Sequence, residues 1–175
     1  MLLRFTVLFV ACLAAGREYA LDYDRLELVY YDKSLVAKDA YFLFRKYNRT
    51  NHCLNVSFIL LKDLDGNDTM FTTTVFKLLS NTYKPMGYKL KFNVCKYWKK
   101  NIYGTSKHLS KFGNLEGCDI KKGHYYLYNY MPDESNFPKY VPLGSYMAEM
   151  GVAWNSGKPI LKFQWYTTAK FMLRS

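Results

Sequence analysis

Apolar and polar residues alternate along several short stretches of this chain. The clearest stretch is 88–94, where Tyr, Leu, Phe and Val alternate with Lys and Asn. Successive side chains of a strand point to opposite faces of a sheet, so this period of two predicts a half-buried strand. Residues 54–60 show mostly the same pattern, and the polar segment 62–67 is predicted to be the turn that follows.

Patterns rich in aromatic and β-branched residues predict further strands and one helix. Residues 81–87, which contain Pro85 and Gly87, are predicted to separate two strands, and residues 155–157 to close a final hairpin. Apolar residues at loosely helical spacing predict a short amphipathic helix within 102–113 that ends at Gly113. About eight short strands predict one mostly β domain, an antiparallel β-sandwich of the immunoglobulin-like kind. The further strands are predicted at 26–31, 36–47, 70–79, 124–130, 145–154 and 159–170.

The N-terminal segment differs from the rest of the chain. One Arg precedes an apolar run at 5–15, and small residues up to Gly16 offer a cleavage site, which is typical of a secretory signal peptide. A membrane-spanning helix needs about 20 apolar residues, and charged residues follow this run too soon. We therefore predict a signal peptide at 1–16, a single domain at 17–175 and a secreted, extracellular protein.

Composition indicates an ordered and basic domain. Aromatic residues make up 18% of the chain, which excludes a disordered protein. The formal net charge of +11 falls by the single charge of Arg4, to about +10, when the signal peptide is removed. A basic, aromatic-rich surface can bind nucleic acid, but an extracellular location argues against that partner. Acidic glycans, anionic lipid headgroups or solubility alone then explain the charge.

Three cysteines, Cys53, Cys95 and Cys118, follow the signal peptide. An oxidising compartment favours a disulfide, and an odd count leaves one thiol over. The sequence alone does not decide the pairing. We predict Cys95–Cys118, which would close a loop of about two dozen residues and contribute on the order of 3 kcal/mol. Cys53 is predicted to be a buried free thiol, with an intermolecular link as the alternative.

Three N-glycosylation sequons begin at Asn48, Asn55 and Asn67. Behind a signal peptide, they predict glycans on the protein surface. Asn55 is informative because it falls inside a predicted strand. Its glycosylation would require that its face of the strand points to solvent.

The sequence lacks the motifs of common enzyme classes, including Gly-x-Ser-x-Gly, His-Glu-x-x-His, a phosphate-binding glycine loop and Cys-x-x-Cys. His52 adjoins Cys53, but neighbours on a strand point to opposite faces and do not form a catalytic pair. Asp63, Asp65 and Asn67 partly match a calcium loop that lacks its final Glu, and a polar turn is favoured. We predict a binding protein rather than an enzyme, with no catalytic residue, cofactor or metal.

Apolar strand faces are compatible with either a solid core or a ligand pocket. Two sheets lined by Leu, Phe, Tyr, Met and Trp can close on each other, which is the default, or splay apart around an apolar pocket. Lys89 and Lys91 would then meet an acidic headgroup or membrane near the pocket. The candidate ligand-binding residues are Phe58, Phe71, Val75, Leu90, Phe92, Tyr146, Met150, Phe163 and Trp165.

Four short motifs follow one another along the chain: Tyr88-Lys-Leu-Lys-Phe-Asn-Val-Cys95-Lys-Tyr-Trp, Gly113-Asn-Leu-Glu-Gly-Cys118-Asp-Ile, Gly123-His-Tyr-Tyr-Leu and Val141-Pro-Leu-Gly144-Ser-Tyr. In this order they resemble a large insect family of secreted, mostly uncharacterised proteins that includes the chemosensory protein B group. The resemblance extends over roughly residues 23–170. That family is thought to be related to the ML lipid-recognition domains, which include the ganglioside activator protein.

The resemblance implies an ML-like antiparallel sandwich with a lipid-sized cavity between its sheets. For the chemosensory members it implies a role in sensing apolar pheromones or tastants, and it supplies no catalytic motif. Many members carry a further cysteine near the mature N-terminus, which this sequence lacks. The resemblance therefore implies that Cys53 has lost its partner.

These observations lead to one main hypothesis and two alternatives. The main hypothesis is an extracellular carrier or presenter of a hydrophobic or amphipathic ligand, such as a lipid, pheromone or tastant, with a membrane receptor as a further partner. The first alternative is a protein-interaction module with a solid core, which an exposed aromatic patch around 125–130 would favour. The second alternative is a cationic protein that acts on glycans or membranes through one continuous Lys/Arg face.

Overall fold

The computed structural model describes residues 19–48, 52–101, 105–134 and 137–172. The predicted signal peptide at 1–16, its cleavage site and the Thr that completes the first sequon lie outside these residues. Within the described part of the chain, no helix is long and apolar enough to cross a membrane.

Eight strands in the described residues form two antiparallel sheets. Sheet A has the order β1-β8-β7-β4-β5, and sheet B has the order β2-β3-β6. The prediction of a mostly β, antiparallel sandwich is confirmed. The strands are β1 (Tyr19–Tyr31), β2 (Tyr41–Lys46), β3 (His52–Leu60), β4 (Thr69–Leu79), β5 (Thr82–Asn93), β6 (Gly123–Tyr130), β7 (Gly144–Trp154) and β8 (Pro159–Phe171), and the helices are α1 (Val94–Lys100) and α2 (Thr105–Leu109).

Aromatic rings join the two sheets where β2 crosses β8. Phe42 stacks on Phe163 with ring centroids 5.6 Å apart, and Phe44 lies 5.9 Å from Trp165. Large rings bury much apolar area and favour offset or tilted contacts of this kind. The buried cluster beside these rings draws on both sheets and consists of Leu26, Leu54, Val56 and Leu127.

Two further clusters lie towards opposite ends of the sandwich. One lies at the start of β8 around Ile160, and the other lies near its end around Ala169. The first cluster comprises Leu35, Val36, Leu60, Leu64 and Ile160, and the second comprises Tyr19, Tyr146 and Ala169. The core is therefore divided into three parts instead of one continuous apolar mass.

The predicted break at 81–87 is wrong, because β5 continues through both Pro85 and Gly87. β5 is an edge strand that pairs only with β4, so the missing N–H of Pro85 need not join a second ladder. A register shift lies opposite Gly87, whose φ of +74° suits a bulge. The hairpin turns instead at Ser80 and Asn81, which both have positive φ.

Two other predicted boundaries are corrected. The strand expected at 36–47 begins only at Tyr41, because Val36 makes a single bridge to Leu60 and the chain then turns. The helix expected within 102–113 is α2, which ends at Leu109. Gly113 instead bridges to Leu127 on β6.

The predicted disulfide between Cys95 and Cys118 is confirmed, with Cα atoms 4.8 Å apart. It attaches the first turn of α1 to the loop before β6. Gly66 packs against it so closely that a Cβ there would lie 2.2 Å from the carbonyl oxygen of Cys118. Cys53 is a buried free thiol, as predicted, with Sγ 3.5 Å from Oδ1 of Asn129.

We predict that Gly66→Ala lowers the free energy of unfolding by roughly 2–3 kcal/mol, because the new methyl group must displace the disulfide or its backbone. Urea unfolding followed by tryptophan fluorescence measures this loss. Gly117→Ala is the control, because a Cβ at that position meets nothing within 4 Å. We expect it to lose only about 1 kcal/mol, through its left-handed backbone. Equal losses in the two variants would contradict the close approach at Gly66.

Candidate functional site

Strand register brings most of the predicted ligand-binding residues to one face of sheet A. Directly opposed residues of an antiparallel pair point to the same face. Met150 on β7 pairs with Phe163 on β8 and with Thr73 on β4, and Thr73 pairs with Leu90 on β5. These four residues form a row across the sheet. The adjacent rows on the same face are Trp165–Ala148–Val75 and Val152–Phe71–Phe92, and Tyr146 lies one row further along β7.

This face of sheet A points towards sheet B, as the contacts of Phe163 with Phe42 and of Trp165 with Phe44 show. The remaining candidate, Phe58, lies on β3 of sheet B and packs against two of the buried clusters. The structure therefore places the eight predicted residues of sheet A on the face that points towards sheet B, and Phe58 on sheet B itself. We call the sheet A side of the space between the sheets the inner face.

The inner face is less buried than its position predicts. The inner-facing residues of β4, β5, β7 and β8 that form the three rows are all half-buried. On the opposite face of the same central strands, Met147 and Tyr166 are each only 7% exposed. The inner side of a filled sandwich is normally its most buried part. Sheet B therefore leaves accessible apolar surface along the inner face.

The burial of Tyr166 on the outer side of sheet A was not predicted from the sequence. The Arg25 guanidinium carbon lies 3.7 Å from the centroid of its ring, and Tyr83 meets the same ring edge-on at 5.6 Å. Cation–π and aromatic contacts thus cover an outer residue with side chains of β1 and β5. These partners are distant in sequence, so no local pattern reveals them.

The position of Tyr146 distinguishes it from the other candidates. It is buried in the end cluster with Tyr19 and Ala169, and its hydroxyl donates a hydrogen bond to the carbonyl oxygen of Pro142. Tyr19 similarly donates to the carbonyl oxygen of Pro138 at 2.7 Å. Tyr146 therefore belongs to the closed end of the interior, not to its accessible middle.

Helix α1 covers the β4–β5 end of the inner face with an aromatic ring that the sequence reasoning missed. Tyr97 lies 6.0 Å from Phe71 and 5.7 Å from Phe92, centroid to centroid. The disulfide holds this helix in place, and the Asn93 side chain caps it by accepting a hydrogen bond from the Lys96 N–H at 3.0 Å. This N-cap residue was the local signal that could have predicted α1.

Trp165 carries a polar atom that has no partner. Its indole Nε1 is buried and meets no hydrogen-bond acceptor among the described residues. A buried donor without an acceptor costs about 1–3 kcal/mol, so such atoms are rare in native proteins. An acceptor on a molecule held between the sheets would remove this cost.

Tyr130 is the most strongly perturbed titratable group of this region. Its ring packs edge-on against Phe112 at 5.6 Å and against His108 at 5.5 Å. Burial, with smaller contributions from Tyr97 and Asp133, raises the pKa of the Tyr130 hydroxyl to about 12. The shift indicates that this part of the interior disfavours a negative charge.

The lysines expected beside the pocket point away from it. Lys89 pairs with Thr74 and Lys91 pairs with Thr72, which places both lysines on the outer face of sheet A. The β5 alternation was correct, but it separates these lysines from the inner face that Leu90 helps to form. A nearer cation is Lys77 on β4, which pairs with Tyr146 on the inner face and has its Nζ 5.5 Å from the centroid of that ring.

An open polar depression of about 260 Å³ lies apart from this space, around Asp63, Asp65 and Asp119. The Lys122 N–H and the Lys121 ammonium both bind the Asp63 carboxylate, and these bonds lower its pKa. Cys95 and Cys118, which lie near Asp119, are joined in the disulfide, so neither offers a thiolate ligand for a metal ion. Internal partners thus occupy the acidic turn that partly matched a calcium loop.

The sequons fall on different surfaces. Asn55 lies on the face of sheet B that points away from sheet A and is half-buried, while Asn67 is exposed in the turn before β4. Asn48 is exposed at the end of β2.

Comparisons with known proteins reveal similarities to one family and to several solved structures, among them the two that follow. Residues 70–148 match the model of a family described as protein of unknown function (DUF1091). The crystal structure of chicken MD-1 complexed with lipid IVa is 15% identical over 87% of this chain and 100% of that chain, with a TM-score of 0.39. A Niemann-Pick type C2 protein from Japanese carpenter ant is 11% identical over 85% of this chain and 92% of that chain, with a TM-score of 0.31.

No curated protein is significantly similar in sequence to this chain. The family match covers β4, β5, both helices, both disulfide cysteines, β6 and the first part of β7. TM-scores of this size do not establish a shared topology. The architecture therefore rests on the strands and pairings described above.

The raised pKa of Tyr130 predicts a pH-dependent stability. Between pH 10 and 12 the unfolded chain loses the phenolic proton while the native state keeps it, so stability falls as pH rises through this window. Between pH 9 and 11, the free energy of unfolding of the native protein should fall by about 1 kcal/mol more than that of Tyr130→Phe. Urea unfolding of both proteins at the two pH values measures the difference, because lysine titration is common to both. An identical loss in both proteins would show that Tyr130 titrates normally.

Proposed function

We propose that this protein binds an apolar or amphipathic small molecule between its two sheets. The observation that carries the proposal is the burial of the inner face. Its residues on the central strands are only half-buried, whereas a solid core would bury them fully. Accessible apolar surface is unfavourable in water by about 25 cal/mol per Å². A ligand that covers this surface is therefore stabilised by the same effect that stabilises a core.

The lining supports a ligand with a long apolar body and one polar acceptor. Phe71, Met150 and Phe163 offer apolar surface in neighbouring rows, and Met adapts its shape to irregular ligands. The N–H of Trp165 has no hydrogen-bond partner among the described residues, which favours a ligand that offers a carboxylate, carbonyl or hydroxyl oxygen. Fatty acids, esters and alcohols combine these two properties.

The finer features of the proposal come from the sequence. The N-terminal apolar segment supports secretion, and the disulfide is typical of an oxidising compartment. The motifs from Tyr88 to Tyr146 resemble those of the chemosensory protein B group, which supports a ligand of the pheromone or tastant class. We propose a secreted carrier or presenter of such a ligand, without catalytic activity, that delivers it to a membrane receptor.

A protein-interaction module with a solid core is the second candidate. The exposed Tyr128 and its neighbours on the outer face of sheet B favour it. A solid core would however bury the inner-facing residues of β4 and β7, which are half-buried here. This difference in burial favours the ligand carrier over the interaction module.

Native mass spectrometry of protein secreted from cultured insect cells, combined with lipid extraction, tests the proposed binding. We expect a co-purifying fatty acid, hydrocarbon or phospholipid in near-stoichiometric amount. A ligand-free mass, with no uptake of added lipid, would contradict the carrier and favour the interaction module.

Adjacent threonines on β4 provide a matched pair of variants. Thr73 faces the inner row with Met150 and Leu90, whereas Thr74 faces outward beside Glu149 and Lys89. Thr73→Trp fills the space between the sheets, so we expect lipid content to fall on the order of tenfold. Thr74→Trp adds the same ring outside and should leave lipid content unchanged. Similar lipid loss in both variants, or in neither, would argue against a ligand on the inner face.

A further inference from the structure

Sheet B carries an apolar patch on the face that points away from sheet A. We define the tyrosine patch as Tyr41, Leu43, Tyr126 and Tyr128. Leu43 is 42% exposed and Tyr128 is 44% exposed. Tyr126 and Tyr128 stack with ring centroids 4.9 Å apart, and the Tyr41 side chain lies close enough to raise the pKa of the Tyr128 hydroxyl. Exposed apolar surface of this kind, on the two strands that flank β3, usually marks a binding surface.

Asn55 lies within this patch. It is on β3, the central strand of sheet B, and its direct partner on β2 is Leu43. On the other side it contacts the bulge of β6, where the Asn129 N–H donates a hydrogen bond to Asn55 Oδ1 at 2.8 Å. Tyr128 is the residue before this bulge position. The side chain of Asn55 thus begins between an exposed Leu and an exposed Tyr.

The bond from Asn129 also orients the Asn55 amide. Because Oδ1 accepts this bond, Nδ2 is directed away from Asn129 and has no hydrogen-bond partner among the described residues. Nδ2 is the atom that carries the sugar in N-glycosylation, and Asn55-Val-Ser57 is a sequon. A sugar on Nδ2 leaves Oδ1 unchanged, so glycosylation does not disturb the contact with Asn129.

We propose that Asn55 carries an N-linked glycan whose first sugars lie on the tyrosine patch. Cross-strand neighbours are about 5 Å apart and next-but-one residues about 7 Å apart, which matches the width of one or two sugar rings. The C–H faces of the sugars pack on Leu43 and on the ring of Tyr128, and sugar hydroxyls reach the hydroxyl of Tyr41. The glycan shields this face from other proteins and stabilises sheet B.

Two measurements on protein secreted from insect cells test this inference. Peptide mapping after enzymatic glycan release in heavy-oxygen water should show a labelled Asp at position 55. Thermal unfolding of Asn55→Gln should then give a melting temperature about 2–4 °C below that of the glycosylated protein with the native sequence. Asn67→Gln, which removes a sequon from an exposed turn, is the matched control and should shift it by less than about 1 °C.

A double-variant comparison separates packing of the glycan from its mere presence. In a Tyr128→Ala background, Asn55→Gln should lower the melting temperature by less than in the native background, because the sugar has already lost its contact and only the hydrogen bond from the Asn129 N–H is still disturbed. If Asn55→Gln fails to fold, trimming the native glycan on folded protein in the two backgrounds provides the same comparison. An unoccupied Asn55, or an equal loss in both backgrounds, overturns the inference and leaves the patch to a protein partner.

Discussion

The unequal size of the two sheets determines how much of the interior is covered. Five strands face three, so sheet B covers only part of the inner face of sheet A. The aromatic contacts from β2 close the β8 side, and separate clusters close the two ends. The middle of the inner face keeps accessible apolar surface because the third layer that would bury it is missing in the described residues.

The disulfide compensates for this inequality at the β5 side. It holds α1 against the end of the sheet, so that Tyr97 packs on Phe71 and Phe92 where a further strand would otherwise be needed. Gly66 is required at the same point because a side chain there would collide with the bridge. A covalent bond and a glycine thus position one aromatic ring over the open side of the sandwich.

The faces of the two sheets divide the chemistry of the molecule. The interior is poorly solvated. Among the described residues the buried N–H of Trp165 has no hydrogen-bond partner, and burial raises the pKa of the Tyr130 hydroxyl. The outer face of sheet B carries tyrosines around Asn55, and the outer face of sheet A carries exposed lysines. The proposed ligand space and the proposed glycan therefore lie on separate surfaces.

Local patterns in the sequence were sufficient to predict the strand content, the final hairpin and the face that Phe163 and Trp165 share, because a period of two and turn residues are local signals. They did not determine α1, the passage of β5 through Pro85, or the direction of Lys89 away from the ligand space. Those outcomes depend on which strand lies at an edge and which sheet covers which face. The incomplete coverage of the inner face became visible in the assembled fold, because coverage depends on the relative size of two sheets whose strands are distant in sequence.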